Sequence, residues 1–262
     1  MELTTDQYIL AIAGGFIAGI MNTLAGYGSV ITLTILMDVI GLPATIANGT
    51  NRVNVFTGVI ASGLGFYKNG KLDFTKGKWV IAFTFIGAVV GVLVAINVSN
   101  EQFKSIFKYL VAVLFIIVLV NPKRWLREQS EDYEMPVWLM IVVFIPLGFY
   151  GGFIQMGMGL FFVAATVLLG RYTMIESNAL KVTVVGLYTL MSLILFHING
   201  LINWQVGAII GIGAALGGYI TAHYASKYKN ANLWAYRLLV FIIVIILMRS
   251  FGVWDIISNS IF

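Results

Sequence analysis

The chain has 262 residues, 60% of them hydrophobic and only 10% charged, with a formal net charge of +5 and no cysteine. Soluble domains carry about 25% charged residues, so this composition excludes an ordinary soluble globule and defines an all-α polytopic membrane protein. Disulfides and thiolate metal sites are excluded, and the two histidines, His197 and His223, lie far apart in the sequence, so no metal cage is expected.

Ten apolar segments are predicted, over 7–25, 29–40, 44–67, 79–97, 103–120, 137–155, 160–169, 173–198, 204–225 and 233–250. Eight are long enough to cross or nearly cross a hydrocarbon core of about 30 Å. The second and seventh are too short. Each follows a glycine-rich break, "LAGYGS" at 24–29 and "QMGMGL" at 155–160. A break in lipid leaves backbone groups unpaired unless it is buried in protein or lines a wet cavity. The expectation is two helical hairpins whose tips lie inside the bundle. The N-terminal "MELTTDQYIL" has two acids and no basic residue, unlike a secretory signal, so the first segment is expected to be retained.

Basic residues lie in the loops between segments, which argues against nucleic-acid binding and for an orientation. Lys68, Lys71, Lys76, Lys78, Lys123, Arg124, Arg127, Arg171, Lys227 and Lys229 are placed on the cytoplasmic side, against three exceptions, Lys104, Lys108 and Arg249. Both termini then face outward. Residues 1–121 form a first transmembrane repeat, 122–136 a cytoplasmic linker and 137–262 a second repeat.

The halves match at an offset of 130, which pairs Asn48 with Asn178, Gly70 with Gly200 and Gly87 with Gly217. After a two-residue gap upstream, Gly26 and Gly28 pair with Gly157 and Gly159. The lysine-rich loop around Gly70 answers the uncharged loop around Gly200, so equivalent loops fall on opposite sides of the membrane. That pattern predicts inverted-topology repeats, with a binding site between them at the midplane.

Arg52 and Lys181 each lie about 12 Å into their helices from opposite sides. A cation at that depth costs at least about 2.5–3.5 kcal/mol, so it requires a carboxylate, backbone carbonyls, water or an anionic solute. Asp38 is the nearest carboxylate for an ion pair with Arg52, whereas Thr173-x-x-Glu176 reads as a capping box. Asn48 and Asn51, like Asn178 and Lys181, are i, i+3 pairs sharing a helix face, and Arg52 is one turn from Asn48. The short helices after Gly28 and Gly159 are expected to point their N-termini at the centre. Together these groups suit an oxyanion, with guanidinium offering paired donors and lysine a point charge.

The stretches "GFIAGIMNTLAGYGSVITL", "GLPATIANGTNR", "GFYGGFIQMGMGLFF", "ESNALKVT", "NGLINWQVGA" and "GAALGGYITAHYA" resemble the sulfite exporter family of TauE/SafE-like membrane proteins. The resemblance covers about residues 10–250. It implies movement of sulfite, organosulfonates or related small anions across a prokaryotic cytoplasmic membrane. It also places the half-motifs on Asn22, Gly26, Gly28, Asn48, Thr50, Asn51 and Arg52, then on Gln155, Gly157, Gly159, Asn178 and Lys181. Leu180 departs from the family pattern, where threonine or serine often follows the asparagine–alanine pair.

Sequence alone therefore predicts a secondary transporter of a small anion working by alternating access, with an anion channel, or uptake of a carboxylate or sulfonate, as alternatives. No enzyme is predicted, because no nucleophile–base pair or metal constellation appears at helix spacing. No cofactor is implied. A coupling ion, proton or sodium, is left open, as is homo-oligomerisation through small residues such as "GIGAALGG" at 211–218. Trp79, Trp125, Trp138, Trp204 and Trp254 flank segments and read as interfacial anchors.

Overall fold

In a computed structural model of the chain, the described residues are 3–24, 26–68, 77–119, 135–172 and 174–224, with Arg237, Phe241, Val244, Ile245, Leu247 and Met248. Most of the lysine-rich loop, linker residues 122–134, Thr173, the side chain of His223, Trp125, Trp254 and most of segment 233–250 lie outside them.

The described residues form helices in the order α1 (Thr5–Leu24), α2 (Gly28–Thr34) running into a π-helical turn (Ile35–Val39), α3 (Ala44–Lys68), α4 (Lys78–Ala95), α5 (Asn100–Leu119), α6 (Val137–Phe153), α7 (Met158–Leu168), α8 (Met174–Ile198) and α9 (Trp204–Tyr224). Local chemistry sets several boundaries. At α1, Thr4 N–H donates to Gln7 Oε1 at 3.1 Å and Gln7 N–H returns to Thr4 Oγ1 at 3.4 Å. At α5, Ser99 N–H donates to Gln102 Oε1 at 3.0 Å and Gln102 N–H to Ser99 Oγ at 3.2 Å. Both are capping boxes, which satisfy backbone donors that the first helical turn leaves free. Pro136 precedes the first residue of α6, where it lacks only an amide the helix would not use.

Among the described residues, α4, Glu176–Ile198 of α8 and Trp204–Thr221 of α9 are long and apolar enough to cross a bilayer by length and composition. The helices α1, α3 and α5 have 20, 25 and 20 residues. In α3, asparagines and an arginine take the place of apolar residues. The expected short segments are short: α7 has 11 residues and α2 with its π turn spans 28–39. At 1.5 Å per residue each is about 17–18 Å long.

Large apolar side chains lie on the outside as well as in the core. Ile9, Ile86, Val90, Val142, Ile194, Ile212 and Leu216 are exposed, as are Trp79, Trp138 and Trp204. Thr32, Asn48, Thr50, Asn51, Arg52, Asn54 and Thr189 are fully buried. An apolar exterior around a core that also holds these polar groups is stable in lipid and costly in water.

Helix α1 packs along α9 and α4 along α6, both through glycine. A Cβ on Gly15 or Gly19 would lie 2.2 Å from the carbonyl oxygen of Ile210 or Ala214, and one on Gly213 or Gly217 would lie 2.2 or 2.1 Å from that of Ile12 or Phe16. On the other pair, Gly148 and Gly152 meet the Thr84 and Ala88 oxygens at 2.0 and 2.1 Å, and Gly87 and Gly91 meet those of Ile145 and Phe149 at 2.0 and 2.1 Å. The second interface repeats the first.

The contact made by Gly87 is thus matched by Gly213, and that of Gly91 by Gly217. This differs by one helical turn from the Gly87–Gly217 pairing expected from the constant offset. The connection between α3 and α4 runs over 69–77, that between α8 and α9 over 199–203. The first separation is longer by four residues, about one turn of helix. The small-residue run at 211–218 is occupied inside the chain, with Gly211 against Thr57, Gly213 and Gly217 against α1, and Gly218 facing Thr23.

Candidate functional site

The two glycine-rich breaks meet each other. Gly26 and Gly157 hold φ of 76° and 73°, a region that side chains bearing a Cβ rarely adopt. A Cβ on Gly26 would lie 3.0 Å from Gly159 Cα, and one on Gly159 would lie 3.2 Å from Gly26 Cα and 3.3 Å from the Lys181 side chain at Cδ. The backbones touch because neither residue has a side chain, and the Lys181 stem lies along the crossing. Lys181 Nζ donates to Asn178 Oδ1 at 2.8 Å. Among the described residues this is the one hydrogen-bond partner of that ammonium, which has three donors to offer.

Arg52 lies on the other side of the second break. The centre of α3 is buried on all faces over residues 47–55, and the guanidinium reaches the end of α6. Its Nη1 donates to Gly151 O at 2.8 Å and to Gln155 Oε1 at 2.6 Å. Its Nη2 donates to Gly152 O at 2.6 Å and to Asn48 Oδ1 at 3.4 Å. Asn48 Nδ2 adds a bond to Phe153 O at 2.8 Å. The last carbonyls of a helix lack intrahelical partners and carry partial negative charge. Arg52 and Asn48 therefore cap α6 from a different helix.

Of the partners considered for Arg52, backbone carbonyls are the ones present. Asp38 is exposed and is not among them. The four terminal N–H groups are all engaged, so a solute can take one only by displacing a protein acceptor; Nε is buried with no partner among the described residues. Phe196 lies beneath the guanidinium, its ring centre 5.7 Å from Cζ.

Gln155 joins the break to this cluster. It holds φ of 64°, unusual for a residue with a side chain, and its amide donates to Thr189 Oγ1 at 3.3 Å while its oxygen accepts from Arg52. The hydroxyl of Tyr188, buried with no hydrogen-bond partner among the described residues, lies 3.2 Å from where a Cβ on Gly151 would be.

The remaining sequence-predicted residues go elsewhere. Asn22 Oδ1 accepts the Gly28 N–H at 2.7 Å, which removes the first donor of α2 from any solute. Thr50 Oγ1 accepts the Asn203 N–H at 2.9 Å and anchors the start of α9. Asn51 shares no partner with Asn48; its Oδ1 accepts from Thr32 Oγ1 at 2.5 Å and from Asn54 Nδ2 at 3.3 Å. Thr32, Asn54, Thr189 and Tyr188 were missed. Asn54 had a signal, the i+3 step from Asn51 that Asn51 makes from Asn48. Thr32 and Thr189 had none, since a lone threonine in an apolar helix usually bonds its own backbone. Leu180, at the position of the family's threonine or serine, packs over Gly77 instead. His197 accepts from Trp204 Nε1 at 3.2 Å at the exposed α8–α9 turn, away from the cluster.

Apolar helices outside, and polar and basic side chains gathered around two broken segments inside, define a polytopic helical membrane protein with a charged interior. The chain belongs to the sulfite exporter TauE/SafE family, whose model matches residues 11–250. It is 27% identical over 202 residues to the "Probable membrane transporter protein YfcA" of Escherichia coli K12, covering 77% of this chain and 74% of that one. It is 26% identical over 223 residues to a "Probable membrane transporter protein" of Haemophilus influenzae, covering 85% and 86% of the two chains. A third relative, "Probable membrane transporter protein ORF9" of a Sinorhizobium species, is 25% identical over 233 residues, 88% of each chain. No solved structure matches.

Proposed function

We propose that this chain is a secondary transporter that moves a small oxyanion, of the sulfite or organosulfonate class, across the cytoplasmic membrane by alternating access between two inverted repeats. One observation carries the reading: two basic side chains, Arg52 and Lys181, converge on the same break, residues 155–159, from different helices. Lys181 keeps two ammonium donors for a solute. Arg52 adds fixed positive charge nearby while holding the end of α6. The crossing of Gly26 and Gly159 packs the two breaks together beside the Lys181 stem, and Asn178 orients the ammonium. The doubled helix interface, α1 with α9 and α4 with α6, supports a pair of related halves that rock against each other.

Lys181→Met is the test, because methionine keeps an apolar stem along Gly159 and removes the charge. Purified protein is heated with sulfite, sulfate, alkylsulfonates and carboxylates; a ligand that binds the folded state raises the melting temperature by mass action. The wild-type chain is expected to respond to at least one oxyanion and Lys181→Met to lose that response. Equal responses from both proteins would end the assignment.

A further inference from the structure

Several buried hydroxyls in this chain bond back to their own helix. Thr84 Oγ1 donates to Val80 O at 2.6 Å, Thr166 Oγ1 to Phe162 O at 2.9 Å and Ser192 Oγ to Tyr188 O at 2.6 Å. That is the ordinary fate of a hydroxyl in an apolar helix. Ser177 of α8 departs from it: the residue is fully buried, and its Oγ has no hydrogen-bond partner among the described residues. An unpaired hydroxyl in such a place is costly, and it calls for an acceptor.

The neighbours of Ser177 say which acceptor. At about 100° per residue, Lys181 falls between Ser177 and Asn178 on the surface of α8, one turn further along. The lysine stem reaches back toward the start of the helix, because Nζ meets Asn178 Oδ1 at 2.8 Å. The ammonium is thereby brought to the level of residues 177 and 178, with Asn178 on one side and Ser177 on the other. Two ammonium donors and one hydroxyl donor then share one face of the helix. Ser177 also stands in the first turn of α8, where the helix dipole favours negative charge, and Glu176 lies about 140° around the helix from Lys181. The other buried hydroxyl with no partner among the described residues, that of Tyr188, belongs to the Arg52 end, since it lies beside Gly151 and about 10 Å further along the axis than Lys181. The first half lacks the pair. With the offset of 130, Ser177 matches Ala47 and Lys181 matches Asn51, and Ala47 is fully buried.

We propose that Ser177 is a substrate-binding residue that, with Lys181, holds the oxyanion and selects its class. This rests on the transport reading above. Lys181 supplies charge and two donors, and Ser177 supplies a third from another point on the helix. Three donors match the three oxygens of a sulfite or sulfonate. A carboxylate brings two oxygens in one plane and gains less from the serine.

The test compares wild type, Ser177→Ala and Lys181→Met, each purified as the full chain and heated with increasing sulfite, methanesulfonate or acetate; the dependence of melting temperature on concentration gives the affinity. Without ligand, Ser177→Ala is expected to melt at or above the wild-type temperature, because alanine removes an unpaired buried hydroxyl and matches Ala47. With ligand, it should bind sulfite or methanesulfonate about 10- to 100-fold more weakly, the loss of one hydrogen bond to a charged group, and acetate nearly as before. Lys181→Met should lose the response to every anion. A sulfonate response undiminished in Ser177→Ala but lost in Lys181→Met overturns the role of the serine and leaves the oxyanion reading standing. A Ser177→Ala protein that melts well below wild type without ligand reveals a structural role for the hydroxyl and overturns the proposal as well. An equal loss for methanesulfonate and acetate overturns the selection between classes. A wild-type protein that responds to none of the anions sinks the serine and the oxyanion reading together.

Discussion

Replacing Arg52 by alanine would do more than remove a charge. The guanidinium makes three short hydrogen bonds, to Gly151 O, Gly152 O and Gln155 Oε1 at 2.6–2.8 Å. Truncation leaves these acceptors buried at the end of α6, with the Tyr188 hydroxyl the nearby donor that the described residues offer in its place. A buried unsatisfied group costs about 1–3 kcal/mol, so three give roughly 3–9 kcal/mol. Membrane interiors moderate this, with polar contacts there averaging about 0.6 kcal/mol, which sets a floor near 2 kcal/mol for three. Relief from burying the guanidinium offsets part of the upper figure. Against a total stability of about 5–15 kcal/mol, Arg52→Ala is expected to lower the melting temperature sharply and to reduce recovery of folded protein. Arg52→Lys retains the charge but not the paired donors, and should fall between. Thermal unfolding of both variants beside Lys181→Met, which is expected to stay close to wild type, separates the roles. An Arg52→Ala protein as stable as wild type would refute the capping argument, and loss of transport in it could then be assigned to the solute.

Other outcomes follow from the packing and the caps. Gly152→Ala places a methyl group 2.1 Å from the Ala88 oxygen and should part α4 from α6, whereas a methyl group on Gly58 meets none of the described residues within 4 Å and should be neutral or stabilising by up to about 1 kcal/mol; thermal melts of the two variants check the opposite signs. Asn22→Ala removes the 2.7 Å bond to the Gly28 N–H and should cost about 1 kcal/mol, seen as a lower melting temperature and faster amide exchange at the start of α2.

The nature of the protein as a bundle of membrane helices, and the positions of its breaks, could be read from composition and from glycine placement. Those features follow from local chemistry: an apolar run in lipid must close its own hydrogen bonds, and an α-helix does so regardless of its neighbours. The convergence of Arg52 with Asn48, and of Lys181 with Asn178, was legible for the same reason, since helical periodicity puts residues three or four apart on one side.

What each polar group meets was decided by the tertiary structure. Asn48 and Asn51 lie only three residues apart, yet one reaches the end of α6 in the second half and the other reaches Thr32 in the first. Nothing local to "NGTNRVN" distinguishes them, because their partners arrive from about 100 residues downstream and about 20 upstream. The same holds for the register of the paired interfaces, where a loop-length difference shifts the matching glycines by one turn. A sequence specifies which groups must find partners; the packing of distant helices determines which partners they find.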